Sequence, residues 1–214
     1  ANTFTIQSAN TTASAITINA FSGANGAGGG ETYGLEVEAP NTLNVLATGE
    51  GGGITFNTGN SIAGYYDAVF RGPLNIQAVD GPIALKGGQL GGAGNGYLHF
   101  ANNVYLGSKA STDIPSSSSD ILIQFDRFDF PGGTRNIATD GAVIWQPNAS
   151  SFGMAVNTNY FSWNQNSQTM SGLTIGKDGN TAGITQNTAN LTANGPISFY
   201  GGDIAISENI ITTG

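Results

Sequence analysis

GLTIGKDGNTAGITQNTANLTANGPISFYGGDIAISENII, from Gly172 to Ile211, is the stretch that decides the fold. It breaks into short strand-like words: Leu173-Thr174-Ile175, Gly183-Ile184-Thr185, Asn190-Leu191-Thr192, Ile197-Ser198-Phe199-Tyr200 and Ile204-Ala205-Ile206-Ser207. Apolar and small polar residues alternate within each word, the pattern of a strand with one face buried. Gly, Asn and Asp close the words; they accept unusual backbone angles or bond their own backbone, and so mark turns. The same grammar occurs in GPLNIQAVDGPIALKGG, Gly72 to Gly88. A chain that turns this often cannot build long hairpins or helices. It can wind, coil upon coil, around a narrow core.

The rest of the chain extends this reading. Phe4-Thr5-Ile6, Ile16-Thr17-Ile18, Leu35-Glu36-Val37 and Leu43-Asn44-Val45 alternate in the same way, as do Ile54-Thr55-Phe56, Ala68-Val69-Phe70, Leu74-Asn75-Ile76 and Ile83-Ala84-Leu85. Tyr97 to Leu106 reads as a further strand pair. Gly72-Pro73, Gly81-Pro82 and Gly195-Pro196 each precede a strand word. Proline lacks the N–H donor and fits a strand start, and glycine before it permits a sharp corner. No apolar helical stripe exceeds a turn, and Gly, Asn and Thr are poor helix formers. The run Ser116 to Ser119 reads as a surface bulge in a long loop, 108–120, and the glycine-rich stretch 22–30 as a plain exposed loop without the Gly-Lys-Ser/Thr ending of a phosphate cradle.

Short strands at close spacing suit a sandwich, a barrel or a solenoid. Sandwich strands pair as hairpins through tight turns. Among the Asp-Gly and Asn-Gly pairs, Asp140-Gly141 stands apart from a proline, while Asp80-Gly81 and Asn194-Gly195 run straight into a Gly-Pro corner. The expected fold is therefore all-β, a parallel β-helix (solenoid), with a β-sandwich as the alternative. At typical repeat lengths about ten coils are available, giving a rod of roughly 45–50 Å. Residues 1–214 read as a single β-helical domain or a fragment of something larger. Within them, 121–170 is less regular and rich in aromatic residues, a wider stretch of core or an irregular β insertion.

The words of the tail, Gly172-Leu-Thr-Ile-Gly-Lys-Asp-Gly-Asn-Thr-Ala and Asn194-Gly-Pro-Ile-Ser-Phe-Tyr-Gly-Gly-Asp-Ile-Ala-Ile, resemble the repeat regions of filamentous-haemagglutinin-like bacterial adhesins. The resemblance covers about forty residues. It implies a right-handed parallel β-helix shaft, a secreted or bacterial cell-surface location, and a structural or adhesive role. The family's amino-terminal secretion domain is not recognisable, and the shaft motifs carry no functional residues across.

Composition excludes several other roles. Only 9% of residues are charged, against about 25% in an average globular domain, and the polarity comes from Asn, Thr, Ser, Gln and 33 Gly. Neutral polar side chains suit strands stacked in register, where like charges would repel. The net charge of -8 and six scattered cations do not suit nucleic acid, since phosphate binding needs clustered Lys and Arg. The chain has no cysteine, so disulfides and thiol chemistry are out. No secretory leader is recognisable at Ala1 and no apolar run is long enough to span a membrane. The expected partners are other copies or further coils end to end, with surface glycans or host and matrix proteins at the loops; no cofactor or metal is expected.

Few residues suggest chemistry. Asp126, Arg127 and Asp129, with Arg135 and Asp140 nearby in sequence, form the densest charge cluster. In an extended strand Asp126 and Phe128 share one face, opposite Arg127 and Asp129. β-Helical polysaccharide lyases and hydrolases use Asp, Arg and Lys on a strand face, so a carbohydrate-active β-helix enzyme or a phage-spike-like polysaccharide-binding protein is the alternative function. Surface ion pairs beside turns are, however, common and individually weak. Trp145, Tyr160 and Trp163 could stack on sugars or serve an enlarged core. His99 stands alone in Tyr97-Leu98-His99-Phe100 with no acidic partner in its own strand, and reads as a solvent-facing histidine. Lys177-Asp178-Gly179-Asn180 and Gly201-Gly202-Asp203 are fragments of calcium-loop patterns and are expected as plain turns.

Overall fold

Strands form where the alternating words stand. In chain order they are β1 (Thr3–Ser8), β2 (Ile16–Ser22), β3 (Leu35–Val37), β4 (Thr42–Ala47), β5 (Ile54–Asn60), β6 (Tyr66–Phe70), β7 (Leu74–Ala78), β8 (Ile83–Lys86), β9 (Tyr97–Phe100), β10 (Val104–Gly107) and β11 (Ile121–Gln124). They continue with β12 (Arg127–Asp129), β13 (Arg135–Ala138), β14 (Ala142–Gln146), β15 (Val156–Asn157), β16 (Gly172–Ile175), β17 (Ile184–Gln186), β18 (Leu191–Ala193), β19 (Ile197–Phe199), β20 (Ile204–Ile206) and β21 (Ile210–Thr212). The structure, a computed structural model, describes residues 1–22, 33–60, 65–88, 96–109 and 114–214. The glycine-rich loop expected at 22–30 lies, from residue 23 on, outside the described residues, as do residues 110–113 of the loop expected at 108–120.

The chain is all-β, and every strand pairing among the described residues is parallel. Sheet A has the order β1-β4-β7-β10-β13, sheet B β2-β5-β8-β11-β14-β16-β19 and sheet C β3-β6-β9-β12. Sheets D and E run β15-β17-β20 and β18-β21. The chain visits A, B and C in turn, then returns to A one place further along. This is consistent with a parallel β-helix; the hairpins of an antiparallel sandwich do not occur among the described residues. The strands of the aromatic-rich segment, β11 to β15, take places in sheets A to D beside strands from elsewhere in the chain.

The rounds are unequal. Asn2 bonds Asn41, 39 residues on; Asn44 bonds Asn75, 31 residues on; Asn190 bonds Asn209, only 19 residues on. The long early rounds explain why the longest sheet has seven strands rather than the expected ten or so.

Register lines up the inward residues in columns. In sheet B, Phe56, Leu85, Ile123, Trp145 and Ile175 stack in successive strands, and each is at most 1% exposed. Leu98 and Phe128 stack in sheet C, Ile76, Leu106 and Ile137 in sheet A. Burying side chains of this size stabilises by roughly 1.5–3 kcal/mol each. Outward columns carry neutral amides that bond along the stack: Asn57 Nδ2 donates to Asn19 Oδ1 at 2.8 Å and Asn75 Nδ2 to Asn44 Oδ1 at 2.7 Å.

The Gly-Pro corners have a specific cause. A Cβ on Gly72 would lie 1.8 Å from the carbonyl oxygen of Asn41 in the adjoining round; Gly81 and Gly195 press on neighbouring backbone in the same way. The prolines lose no pairing, because their carbonyls accept from Leu43, Ile54 and Leu173 at 3.0, 2.8 and 2.9 Å.

The serine run departs in part from expectation. Ser117 and Ser119 are buried, 3% and 0% exposed. Ser119 Oγ donates to the Ala78 carbonyl at 3.2 Å, and Thr139 Oγ1 donates to the Ser119 carbonyl at 2.6 Å. Small hydroxyls fit the crowded corner between sheets A and B and satisfy backbone there, so Ser117 and Ser119 belong to the stack, while Ser116 and Ser118 are exposed as expected.

Candidate functional site

Sheet C gathers the polar and aromatic side chains that stand out from the rest of the surface. In β9, Leu98 and Phe100 point inward and are fully buried, which turns Tyr97 and His99 outward. In β12, buried Phe128 leaves Arg127 and Asp129 outward. Parallel register then sets Tyr66, Tyr97 and Arg127 in one outer column, and Val69, His99 and Asp129 in the next.

His99 is not the solvent-facing histidine expected. It is 8% exposed, and its Nδ1 lies 2.9 Å from Asp129 Oδ2. The acidic partner is absent from its own strand but present in the adjoining one. Tyr66 donates its hydroxyl to the same Oδ2 at 2.9 Å, and its ring packs edge-on against His99 and Tyr97, with centroids 5.2 and 4.7 Å away. A carboxylate oxygen accepts here, so the Nδ1–H of His99 is the donor in this contact. Beside this group, Arg71 Nε donates to Glu36 Oε1 at 3.0 Å and its Nη2 to the Tyr33 hydroxyl at 2.8 Å.

Two carboxylates are buried where sheets B and C meet. β6 pairs with β9 through a register shift between Tyr66 and Ala68. This local bulge turns Asp67 inward, to 1% exposure. Asp67 Oδ1 accepts from the Asn60 N–H at 2.7 Å and Oδ2 from the Gly88 N–H at 2.6 Å. Burial pushes its carboxyl up to about 6; the Gly88 and Asn60 donors oppose the shift and the charge of Asp126 adds to it. Asp126 is 4% exposed and accepts from the Ala149 N–H at 2.7 Å. Burial raises its pKa too, against the backbone donors of Ala149 and Asn148 and the charges of Lys177 and Arg127.

The charge cluster read from sequence is dispersed. Asp126, just before β12, is buried and Asp129 within β12 faces out, so the two carboxylates point to opposite sides of sheet C. Arg135 turns to the Tyr160 carbonyl and sits 4.9 Å over the Phe130 ring. Asp140 accepts from the Thr169 N–H at 2.9 Å, at the corner between sheets A and B.

The three aromatic candidates form no exposed platform. Trp145 is fully buried, edge-to-face with Phe128 and Phe161, and its Nε1 has no hydrogen-bond partner among the described residues. Trp163 is 6% exposed and donates to the Thr158 carbonyl at 2.8 Å. Tyr160, in a short 3-10 turn, is half-buried with its ring 6.2 Å from Trp145. Among the described residues no cluster of three or more His, Cys, Asp or Glu could hold a metal, and no helix is long and apolar enough to cross a membrane.

The Tyr66–Asp129–His99 group was missed because its members come from three different words. A spacing signal existed: His99 and Asp129 are 30 residues apart, one round of the middle of the stack. Comparison with known proteins finds no matching family model, no matching curated protein and no matching solved structure.

Proposed function

We propose that the chain is a segment of right-handed parallel β-helix that serves as a structural or adhesive rod in a secreted or cell-surface bacterial adhesin of the filamentous-haemagglutinin-like kind. One observation carries the reading: each strand pairs in parallel with its counterpart from an adjoining round, over seven strands in sheet B. That arrangement gives a shaft with a largely apolar interior and an amide-rich exterior, to which few charges are needed. Its partners are further coils or other copies, stacked end to end, together with surface glycans or host and matrix proteins. The outermost strands favour stacking: Phe4 and Ile6 in β1 are 53% and 41% exposed, Ile204 and Ile206 in β20 45% and 60%, though their column neighbours Val45 and Ile184 are buried. Antibodies raised against the purified chain are expected to label intact cells of its source, on thin rods visible by electron microscopy. Labelling that appears only after lysis would overturn the proposal.

A second reading, a carbohydrate-active β-helix protein, is favoured by the Asp129–His99 pair with its Tyr66 donor. Assaying polysaccharide cleavage by the wild type and by Asp126→Asn and Asp129→Asn separates the two. Cleavage that Asp129→Asn abolishes would replace the rod-only reading; no cleavage by the wild type leaves the rod.

A further inference from the structure

We propose that the outer face of sheet C, around Tyr33, Tyr66, Tyr97, His99 and Asp129, binds a neutral polysaccharide chain lying along the stack. The proposal deepens the glycan partner of the surface reading and rests on it for its biological sense.

The outward columns of sheets A and B carry mostly Thr, Asn and Gln, broken in sheet B by the aliphatic run Ala84, Leu122 and Ile144. Sheet C instead sets Tyr66 and Tyr97 in register on adjoining strands, with Tyr33 6.2 Å from Tyr66. All three rings are half-buried, so each is anchored and still presents surface. Tyrosine offers a rigid apolar ring with a polar tip, and little side-chain entropy is lost when it binds. A sugar ring has the matching character: a C–H face that packs on an aromatic ring and hydroxyls around its edge. Successive strands repeat at about 4.8 Å, a step that suits consecutive sugars of an extended chain.

The neighbouring column supplies orientation. Asp129 Oδ2 is taken by Tyr66 and His99; its Oδ1 has no hydrogen-bond partner among the described residues, and the side chain is 38% exposed. Asp129 Oδ1 thus stands as a fixed acceptor beside the tyrosine row, an arrangement that suits a sugar hydroxyl. Tyr66 and His99 lock the Asp129 carboxylate, and the bulge at Asp67 re-aims Tyr66 into the row, a device common beside functional sites. Among the described residues the charge on this face balances: Glu36 and Asp129 stand against Arg71 and Arg127, and Arg71 is paired with Glu36. No net positive charge is left for a sulfated, phosphorylated or uronate polymer, so a neutral hexose chain is the fitting class.

Affinity electrophoresis in native gels containing hydroxyethyl cellulose, galactomannan or dextran tests this, with alginate as the acidic comparison. At least one neutral polymer is expected to retard the wild type. Tyr97→Ala is expected to weaken that retardation roughly three- to tenfold, the loss of one aromatic contact. Asp129→Asn, nearly isosteric, is expected to weaken it to a similar degree while its thermal unfolding stays close to wild type. No retardation by any neutral polymer, retardation by alginate alone, or retardation unchanged in both variants would overturn the proposal. A chain that labels the cell surface yet binds no sugar leaves the rod reading standing; one that binds sugar but is absent from the surface overturns only the surface reading.

Discussion

The tail, 172–211, and the aromatic segment, 121–170, invert expectation. The tail spells its strands most plainly, yet β20 is exposed along its whole length and β21 nearly so. The aromatic segment reads as irregular, yet it holds Ile123, Trp145 and Val156, each completely buried. Regular spelling follows from short rounds with little loop between strands. Burial follows from having a neighbouring round on each side. The two properties have different causes, and here they fall in different places.

The sharpest way to break this comparison is to cut into the aromatic segment. Trp145→Ala removes the largest fully buried side chain and is expected to cost about 3–5 kcal/mol, read from urea unfolding curves. A loss below about 1 kcal/mol would show that the segment does not form the core.

Backbone fit gives the next largest effect. Gly107, the last residue of β10, has φ +101°, and an added Cβ would meet the Ala138 carbonyl oxygen at 2.1 Å. Gly179 in the tail has φ +83° with its nearest neighbour at 4.0 Å. Gly107→Ala is expected to cost about 2–3 kcal/mol and Gly179→Ala about 1 kcal/mol, the left-handed penalty alone. Equal losses in paired unfolding experiments would contradict the difference in crowding.

The middle rounds also hold a charge liability that the tail lacks, since Asp203 and Glu208 are exposed. The Asp67 carboxyl is raised to about 6 from the ordinary 3.8. The folded state therefore holds this proton more tightly than the unfolded chain does. The resulting stabilisation is complete below about pH 4 and is lost as pH rises through about 6. Unfolding free energy is expected to be about 1–3 kcal/mol higher at pH 4.5 than at pH 7.5. Asp67→Asn should flatten much of that slope, with raised Asp126 contributing in the same direction. Stability that rises over this window would refute the assignment.

The smallest effect belongs to the tail's exposed end. Ile206→Ala, at a site 60% exposed, is expected to change stability by less than about 0.5 kcal/mol. A loss above about 2 kcal/mol would mean that β20 is covered in solution.

The strand words and the Gly-Pro corners were legible because both depend on local chemistry, alternation and the missing proline N–H. The partners of each strand were not. In Ala142-Val143-Ile144-Trp145, alternation allows either face to be inward; pairing with Ile121 and Ile123 settles it for Val143 and Trp145. Ser117 and Ser119 look like loop residues until Ala78 and Thr139 of neighbouring rounds come beside them. His99 looks solitary until β12 is laid against β9. Unequal rounds, from 39 residues to 19, prevent a single repeat length from placing these neighbours. The outer face of sheet C, which depends wholly on such placement, was accordingly the least legible part.

The most direct test of the stacked parallel architecture is a set of distances down one outer column of sheet B. Thr17, Leu122, Ile144 and Ser198 occupy that column, and the absence of cysteine lets spin labels be attached at introduced cysteines alone. With strands about 4.8 Å apart, pulsed electron paramagnetic resonance should place Leu122, Ile144 and Ser198 about 14, 19 and 29 Å from Thr17, within the reach of the labels. A steady increase in that order is the predicted result. A Thr17–Ser198 distance no longer than the Thr17–Leu122 distance would contradict the stack.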